Sequence, residues 1–253
     1  GGVAAWLLGI PLLIHEQNAI AGLTNRWLAR LASVVMEAFP GTFPKRYQAV
    51  HTGNPLRANI MALSPPTPRI AHTPLHLLII GGSLGAKVLN DTVPQALRQV
   101  PGALEVWHQT GDLHIAAMQQ AYHEAPFTAR LVAFIEDMAS AYAWADIVIC
   151  RAGAITVSEL AQAGVASILI PYPYAVDDHQ THNAHRLAND GAAILLPQTS
   201  LTVAKLATLL TELLNNPTRL TEMANAAQNC ATPTALQQVV DLVTKSAGWK
   251  IKE

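Results

Sequence analysis

Short hydrophobic runs alternate along the chain with segments in which apolar residues recur every third or fourth position. In the first part, hydrophobic runs at 10–18 and 33–39 flank a helically spaced segment at 19–32, and a further run starts at 49. Short apolar runs are typical of buried strands, and the helical spacing is typical of amphipathic helices. This β-α-β order predicts parallel strands.

The same alternation resumes after residues 62–74, ALSPPTPRIAHTP, whose four prolines are typical of a linker. We predict strands at 76–80, 103–109, 130–134, 145–150, 166–171 and 192–197. We predict helices at 84–99, 112–123, 137–144, 156–163 and 180–190, followed by three closing helices. The pattern indicates an α/β doubly wound sheet, in which ligands bind beyond the carboxyl ends of the strands.

The linker divides the chain into a first domain, 1–62, and a second domain, 75–253, joined by 63–74. The opening sequence, GGVAAWLLGIPLLIHEQN, lacks both Met and the charged segment of a signal peptide. We therefore expect the first domain to be incomplete and the chain to be a truncated form.

Composition narrows the class of protein. The 253 residues are 51% hydrophobic and 13% charged, which excludes a disordered chain or a coiled coil. The net charge of −1 gives no sign of a nucleic-acid partner. The two cysteines, Cys150 and Cys230, suit a reducing compartment. No hydrophobic run reaches the roughly 18 residues of a membrane span.

The first predicted strand-to-helix turn with candidate chemistry is GGSLGA, 81–86. It matches the G-x-S-x-G elbow of serine hydrolases, in which Ser83 would be the nucleophile. Such an enzyme would also need an acid, here Asp146 or Asp178, followed by a histidine, here His179 or His182. Its glycines also suit a loop whose N–H groups bind phosphate at a helix N-terminus. A turn that only packs helix on strand is the third alternative.

The second turn lies in CRAGAITVSELAQAG, 150–164. Thr156 and Glu159 have the T-x-x-E spacing of a capping box, which predicts that the helix starts at Thr156. Alternatively, the N–H groups of 154–156 bind an anion, Glu159 accepts the two hydroxyls of a ribose, and Arg151 adds charge next to a diphosphate.

Two further strand ends carry polar side chains. In PYPYAVDDHQTHNAHRLAND, 171–190, Gln180 and Asn183 can hydrogen-bond sugar hydroxyls. The three histidines of that segment are three residues apart and rotate around a helix, so we expect no metal site there. In HEQNAIAGLTN, 15–25, Glu16 is a candidate acid or base, and Asn18 is either a ligand contact or a helix cap.

Together these stretches resemble the MurG family of glycosyltransferases, which use UDP-GlcNAc to make the lipid-linked disaccharide precursor of bacterial peptidoglycan. The matching segments are HEQNAIAGLTNRWLA, GNPLR, GGSLGAKVLN, VWHQTG, FIEDMASAYAWADIVICRAGAITVSELAQAG and DDHQTHNA. The resemblance covers most of the chain and weakens over the last part. The glycine-rich loop with a catalytic histidine that opens the family's first domain has no counterpart in this sequence.

The resemblance implies a GT-B fold, in which two Rossmann-like doubly wound domains, the first of them incomplete here, face each other across a cleft. It implies inverting transfer of GlcNAc from UDP-GlcNAc to the C4 hydroxyl of lipid-linked N-acetylmuramyl-pentapeptide, which converts lipid I to lipid II. The alternative is a non-catalytic UDP-sugar-binding fragment.

The implied partners are the donor UDP-GlcNAc and the undecaprenyl-linked acceptor. The implied location is the cytoplasmic face of the bacterial inner membrane, bound peripherally through the segment that this sequence lacks. No cofactor, metal or nucleic acid is implied, because helix dipoles and N–H groups stabilise the departing UDP.

The resemblance also implies roles for single residues. Ile135 matches the backbone position that pairs with uracil, Glu159 the acid that binds ribose, and Ser83 a diphosphate-binding position. The other implied substrate-binding positions are Asn18, Arg57, Ala154, Ile155, Thr156, Val157, Ser158, Gln180 and Asn183. The positions implied in catalysis are His15, Glu16, Asn25, Asn90 and Arg151.

Overall fold

The computed structural model describes residues 1–63, 71–82, 84–123 and 125–248. The first segment contains a small parallel sheet of three strands, β1 (Leu13–Glu16), β2 (Val34–Glu37) and β3 (Val50–His51), in that spatial order. Helix α1 (Gly2–Leu7) precedes the sheet, α2 (Leu23–Leu28) joins the first two strands, and α3 (Ala58–Met61) follows the third.

The second segment contains a six-stranded parallel sheet of spatial order β6-β5-β4-β7-β8-β9. Its strands are β4 (Leu75–Ile80), β5 (Leu104–Gln109), β6 (Thr128–Val132), β7 (Ile147–Cys150), β8 (Ala166–Leu169) and β9 (Ala193–Leu195). The central strands are buried on both faces, as expected for a parallel sheet covered by helices.

Helices cover both faces of this sheet. They are α4 (Lys87–Leu97), α5 (Ile115–Ala121), α6 (Met138–Trp144), α7 (Ala154–Ala163), α8 (His179–Ala188), α9 (Val203–Leu214), α10 (Pro217–Asn229) and α11 (Ala235–Ser246). Leu77 and Ile79 of β4 pack in one core cluster with side chains of α4, α5 and α9. Leu78 and Ile80 point to the other face and pack with side chains of α6, α7 and α8. The α/β doubly wound architecture is therefore confirmed.

The strand order reverses next to β4. The chain runs from β4 outwards to β5 and β6, then returns to place β7 on the other side of β4. A crevice forms at such a reversal, beyond the carboxyl ends of the two strands. The GGSLGA turn follows β4 and the CRAGAIT turn follows β7, so the fold brings two of the predicted chemical turns to this crevice.

Several local predictions are wrong. Helix α7 starts at Ala154 with Gly153 as its N-cap, so Thr156 lies within the first turn and the capping box with Glu159 does not form. Helix α2 starts at Leu23 after Gly22, so Asn18 is not its cap. The short helices α1 and α3 were not predicted. Most of the predicted linker, 64–70, and Ser83 lie outside the described residues.

No helix among the described residues is long and apolar enough to cross a membrane.

Candidate functional site

A cavity of about 720 Å³ opens at the crevice between β4 and β7. Its volume is within the range of small-molecule sites. The glycine turn after β4, the start of α7 and the loop before α8 form its walls. The polar and charged lining residues are Lys87, Asp91, Arg151, Thr156, Tyr172, Gln180 and Gln198.

The glycine turn is shaped by backbone that only glycine adopts without strain. Gly82 and Gly85 have φ angles of +83° and +76°. A Cβ at Gly85 would lie 2.1 Å from the carbonyl oxygen of Thr110, so the turn packs directly against the end of β5. Asn90 holds the same carbonyl, because its buried amide donates to Thr110 O at 2.9 Å. Asn90 therefore supports the turn from inside α4.

The start of α7 forms a second wall of the cavity. Gly153 caps the helix with no side-chain hydrogen bond, and both Gly153 and Thr156 line the cavity. The first N–H groups of a helix have no partner within it and carry the positive end of its dipole. Ala154, Ile155 and Thr156 supply these groups. Val157 and Ser158 lie one step further along the helix, and Ser158 Oγ donates to the carbonyl of Ala154 at 3.1 Å.

Arg151 places a positive charge at the end of β7. Its guanidinium donates to the carbonyls of Ile170 and Pro171, both at 3.1 Å, and lies 5.4 Å from the ring centre of Tyr172. Burial lowers the pKa of Arg151 from its usual value, although an arginine stays protonated in proteins. The cavity therefore combines a fixed cation with two sets of backbone N–H groups.

Glu159 is buried and takes part in no capping box. Its Oε1 accepts from Arg57 at 3.1 Å, and its Oε2 accepts from the Tyr142 hydroxyl at 3.0 Å. Burial, followed by the charge of Glu159, raises the pKa of Tyr142 well above its usual value. Tyr142 is not among the site residues predicted from the sequence, although Tyr142 lies in one of the segments that carry the family resemblance.

Gln180 and Asn183 occupy different environments. Gln180 lines the cavity, and its Oε1 accepts the N–H groups of Ala152 at 3.3 Å and Tyr172 at 2.9 Å. Asn183 is fully buried and joins the two segments of the chain. It accepts from the N–H of Ala19 at 2.8 Å, and donates to Asn18 Oδ1 and to Ala152 O at 3.1 Å each.

The loop after β6 carries Ile135, which is buried next to a half-exposed Phe134. The N–H of Ile135 donates to Oε1 of Gln109 at 2.9 Å. Gln109 was not among the residues singled out from the sequence, even though it lies in the VWHQTG segment.

Three of the candidate residues of the first segment, Glu16, Asn18 and Asn25, form one hydrogen-bonded group through their side chains. Glu16 is buried and accepts from the N–H groups of Asn18 and Gly22 and from the side-chain amides of Asn25 and Asn18, at 2.9–3.2 Å. Burial opposes ionisation of Glu16, but these hydrogen bonds together outweigh it and lower the pKa of the carboxyl. His15 Nε2 lies 3.0 Å from the carbonyl of Gly53, so we assign the proton to Nε2 and the lone pair to Nδ1.

Among the described residues, one cluster of His72, His76 and Asp146 has the composition of a metal site. The two imidazole rings stack at 4.1 Å with an angle of 17°, so their lone pairs do not converge on one ion. Asp146 instead accepts the N–H groups of His72 and His76 at the amino end of β4. Because this end is opposite the cavity, Asp146 cannot act as the acid of a hydrolase centred on Ser83.

Two family models match the chain. The C-terminal domain model of glycosyltransferase family 28 matches residues 76–245, and the N-terminal domain model of the same family matches residues 1–37. The first match alone covers more than half of the chain, which defines the protein as a glycosyltransferase of this class.

Individual relatives identify the family to which the chain belongs within this class of glycosyltransferases. The UDP-N-acetylglucosamine–N-acetylmuramyl-(pentapeptide) pyrophosphoryl-undecaprenol N-acetylglucosamine transferase of Marinobacter nauticus is 50% identical over 98% of this chain and 69% of its own length. The transferase of the same name from Aeromonas hydrophila is 53% identical over 100% of this chain and 70% of its own length. The chain therefore belongs to the MurG family.

The solved structures agree with this assignment. The crystal structure of Acinetobacter baumannii MurG matches 97% of this chain and 70% of its own length, with a TM-score of 0.89 and 49% identity. The glycosyltransferase of kitacinnamycin, at 14% identity and a TM-score of 0.69, shares the fold. The expected GT-B fold is thus confirmed, with a three-stranded first sheet and a six-stranded second sheet.

Proposed function

We infer that this protein is a hexosyltransferase that moves GlcNAc from UDP-GlcNAc to the lipid-linked N-acetylmuramyl-pentapeptide, lipid I, to form lipid II in peptidoglycan synthesis. The observation that carries this inference is identity of about one half to MurG transferases over nearly the whole chain. The cavity at the sheet reversal supplies the anion-binding groups that a nucleotide-sugar donor needs.

We propose that the second segment, 75–253, binds the donor and the first, 1–62, forms part of the acceptor wall. The diphosphate lies between the glycine turn, including Ser83, and the N–H groups of 154–156, next to Arg151. Gln180 faces the sugar from the cavity wall, and Glu159 accepts the ribose hydroxyls. The cavity lining supports the assignments of Arg151, Thr156 and Gln180. The assignments of Ser83 and Glu159 rest on the positions that match the family's motifs.

The proposed reaction is a single displacement. The C4 hydroxyl of the acceptor attacks C1 of GlcNAc, the bond between C1 and the phosphate oxygen breaks, and UDP leaves from the opposite face. The hydroxyl proton passes to a base, and the charge that grows on UDP is stabilised by backbone N–H groups and Arg151. His15 is our candidate base in the first segment, since its Nδ1 carries the lone pair.

Glu16 is less suited to taking that proton itself. Its carboxylate already accepts several hydrogen bonds, and these lower its pKa and hence its basicity. We propose that Glu16 and Asn25 hold the loop 17–22 in the shape that faces the acceptor, with Asn18 at the boundary to the donor segment.

The membrane relation is also a proposal. An acceptor attached to undecaprenol stays in the bilayer, so the enzyme has to work at the membrane surface. We keep the peripheral location at the cytoplasmic face of the bacterial inner membrane that the resemblance implies, and propose that the exposed apolar side chains of α1 and α2, among them Trp6, Leu7 and Trp27, add to that contact.

Two measurements test the proposed function. Calorimetry with UDP-GlcNAc, ADP-glucose and GDP-mannose should give the tightest binding for the uridine donor, and equal binding of the other two would contradict the donor assignment. A transfer assay with radiolabelled UDP-GlcNAc and the lipid-linked acceptor then tests catalysis. Donor binding without transfer would favour the alternative, a UDP-sugar-binding fragment.

A further inference from the structure

The side chain of Gln109 joins two loops that belong to different strands. Its Nε2 donates to the carbonyl of Gly82 in the glycine turn at 2.8 Å, and its Oε1 accepts the N–H of Ile135 at 2.9 Å. Gln109 is the last residue of β5 and is only 2% exposed, so these bonds are shielded from water.

The position of β5 in the sheet explains why one side chain can reach both loops. The glycine turn follows β4 and the Ile135 loop follows β6, and β5 lies between these two strands. The loops are therefore two strand spacings apart, roughly 10 Å. Gln109 ends the middle strand and so lies midway between the two loops, where one side chain can contact both.

The chemistry of the two contacts requires an amide. Gly82 offers a carbonyl, which needs a donor, and Ile135 offers an N–H, which needs an acceptor. Glutamine carries one of each on the same carbon, whereas glutamate carries only acceptors and methionine has no donor. Substitutions at 109 can therefore separate the two contacts.

We propose that Gln109 is a positioning residue for the donor nucleotide, which holds the phosphate-binding turn and the base-binding loop at the separation of a nucleoside diphosphate. This proposal rests on the donor site proposed above, in which the diphosphate contacts the glycine turn, and on the family resemblance, which implies that the base pairs with the backbone at Ile135. A ligand that spans both loops depends on the link, and a ligand that contacts only one loop depends on it much less.

The experiment compares UDP with uridine in the full chain. In Gln109→Met, UDP affinity should fall about tenfold, the effect of losing a buried hydrogen bond to the turn, and uridine affinity by less than about twofold. In the transfer reaction, KM for the donor should rise with kcat nearly unchanged. Tyr122→Phe is the matched control, because it removes the hydrogen bond to His108 in the same strand, and should leave both affinities unchanged.

Amide hydrogen exchange gives a readout that needs no ligand. The amide of Ile135 should exchange about tenfold faster in Gln109→Met than in the unsubstituted chain. Gln109→Glu keeps the acceptor for Ile135 but sets a carboxylate oxygen against the carbonyl of Gly82. It should therefore preserve the protection of Ile135 and still lose UDP affinity.

The outcomes separate this proposal from the donor assignment. Equal losses of UDP and uridine affinity, or unchanged exchange of Ile135 in Gln109→Met, would overturn the role of Gln109. Preference of the unsubstituted chain for ADP over UDP would overturn only the choice of base, and the comparison of ADP with adenosine would then test Gln109 in the same way.

Discussion

Single buried polar residues give this site much of its geometry. Asn90 reaches from α4 to the end of β5, Glu159 binds Arg57 from the other segment, and Asn183 reaches Ala19 across the cleft. All three were singled out from the sequence as activity or ligand positions. The structure adds that each of them also holds together parts of the chain that are distant in sequence.

Glu159→Ala should lower both stability and nucleotide affinity. Removing the carboxylate takes away the acceptor of the buried Tyr142 hydroxyl, and we expect a loss of about 1–3 kcal/mol in the free energy of unfolding. Separately, the free energy of UDP binding should become less favourable by ~1.5–3 kcal/mol, because Glu159 is proposed to accept the ribose hydroxyls. Urea unfolding and UDP titration measure the two effects, with the exposed Glu212→Ala as control. Unchanged stability would mean that the Tyr142 contact contributes little.

His108 makes stability depend on pH. Burial lowers the pKa of His108 from 6.5 to about 3, so below pH 6.5 the unfolded chain binds a proton that the folded chain refuses. The free energy of unfolding should therefore fall as the pH drops from about 6.5 towards 3, by up to about 1.4 kcal/mol per pH unit for this group.

Urea unfolding at several pH values in that range gives the free energy of unfolding as a function of pH. This free energy should change less steeply with pH in His108→Leu than in the unsubstituted protein. The exposed His185→Leu is the control and should keep the original slope. Parallel slopes for the unsubstituted chain and His108→Leu would show that His108 is accessible to protons in the folded state.

Long elements could be predicted from the sequence, and short ones could not. The strands of the large sheet and the helices of the second segment follow from hydrophobic period and length. Helices α1 and α3 have only six and four residues, too few to form without packing against the rest of the molecule. The start of α7 was misplaced because the capping signal at Thr156 competes with Gly153, whose extended backbone fits the end of β7.

The location of the site could be predicted from the sequence, but the contacts between its side chains could not. Turns at the carboxyl ends of strands could be located from the pattern, because parallel strands place all their carboxyl ends at one edge. Contacts such as Arg57 with Glu159, 102 residues apart, could not, because they depend on how the two segments pack. The contacts of Gln109 with Gly82 and Ile135 could not be predicted either, because they depend on which strands lie side by side in the sheet.

Two glycines of one turn should differ in their tolerance of a side chain. Gly82→Ala adds a Cβ that meets nothing within 4 Å, so only its φ of +83° opposes it, at about 1–2 kcal/mol. Gly85→Ala has the same backbone cost and also places its Cβ 2.1 Å from Thr110 O, for a total of about 2–4 kcal/mol. Thermal unfolding and UDP titration of the pair measure the difference. Equal losses in the two variants would show that the turn moves away from β5.

At the scale of the whole molecule, the two segments meet along a line of specific contacts. Asn54 donates to Ser158 Oγ at 3.1 Å, next to the Arg57–Glu159 pair. Gly53 approaches Thr232 so closely that a Cβ would lie 2.1 Å from its hydroxyl oxygen. The first segment and the cavity of the second segment are therefore joined through the residues that flank the cleft, and these contacts set the distance between them.

Asn183→Ala tests whether this residue joins the two segments or binds the sugar. It is fully buried, and its amide makes three hydrogen bonds, two of them to the first segment. Losing these buried partners should lower the free energy of unfolding by about 2–4 kcal/mol. The ratio of UDP-GlcNAc to UDP affinity should stay unchanged, because the side chain does not line the cavity. Asn189→Ala, at the exposed end of the same helix, is the matched control for urea unfolding and for titration with both ligands. Native stability combined with a selective loss of UDP-GlcNAc affinity would instead identify Asn183 as a direct sugar contact, with the segments joined by the remaining contacts.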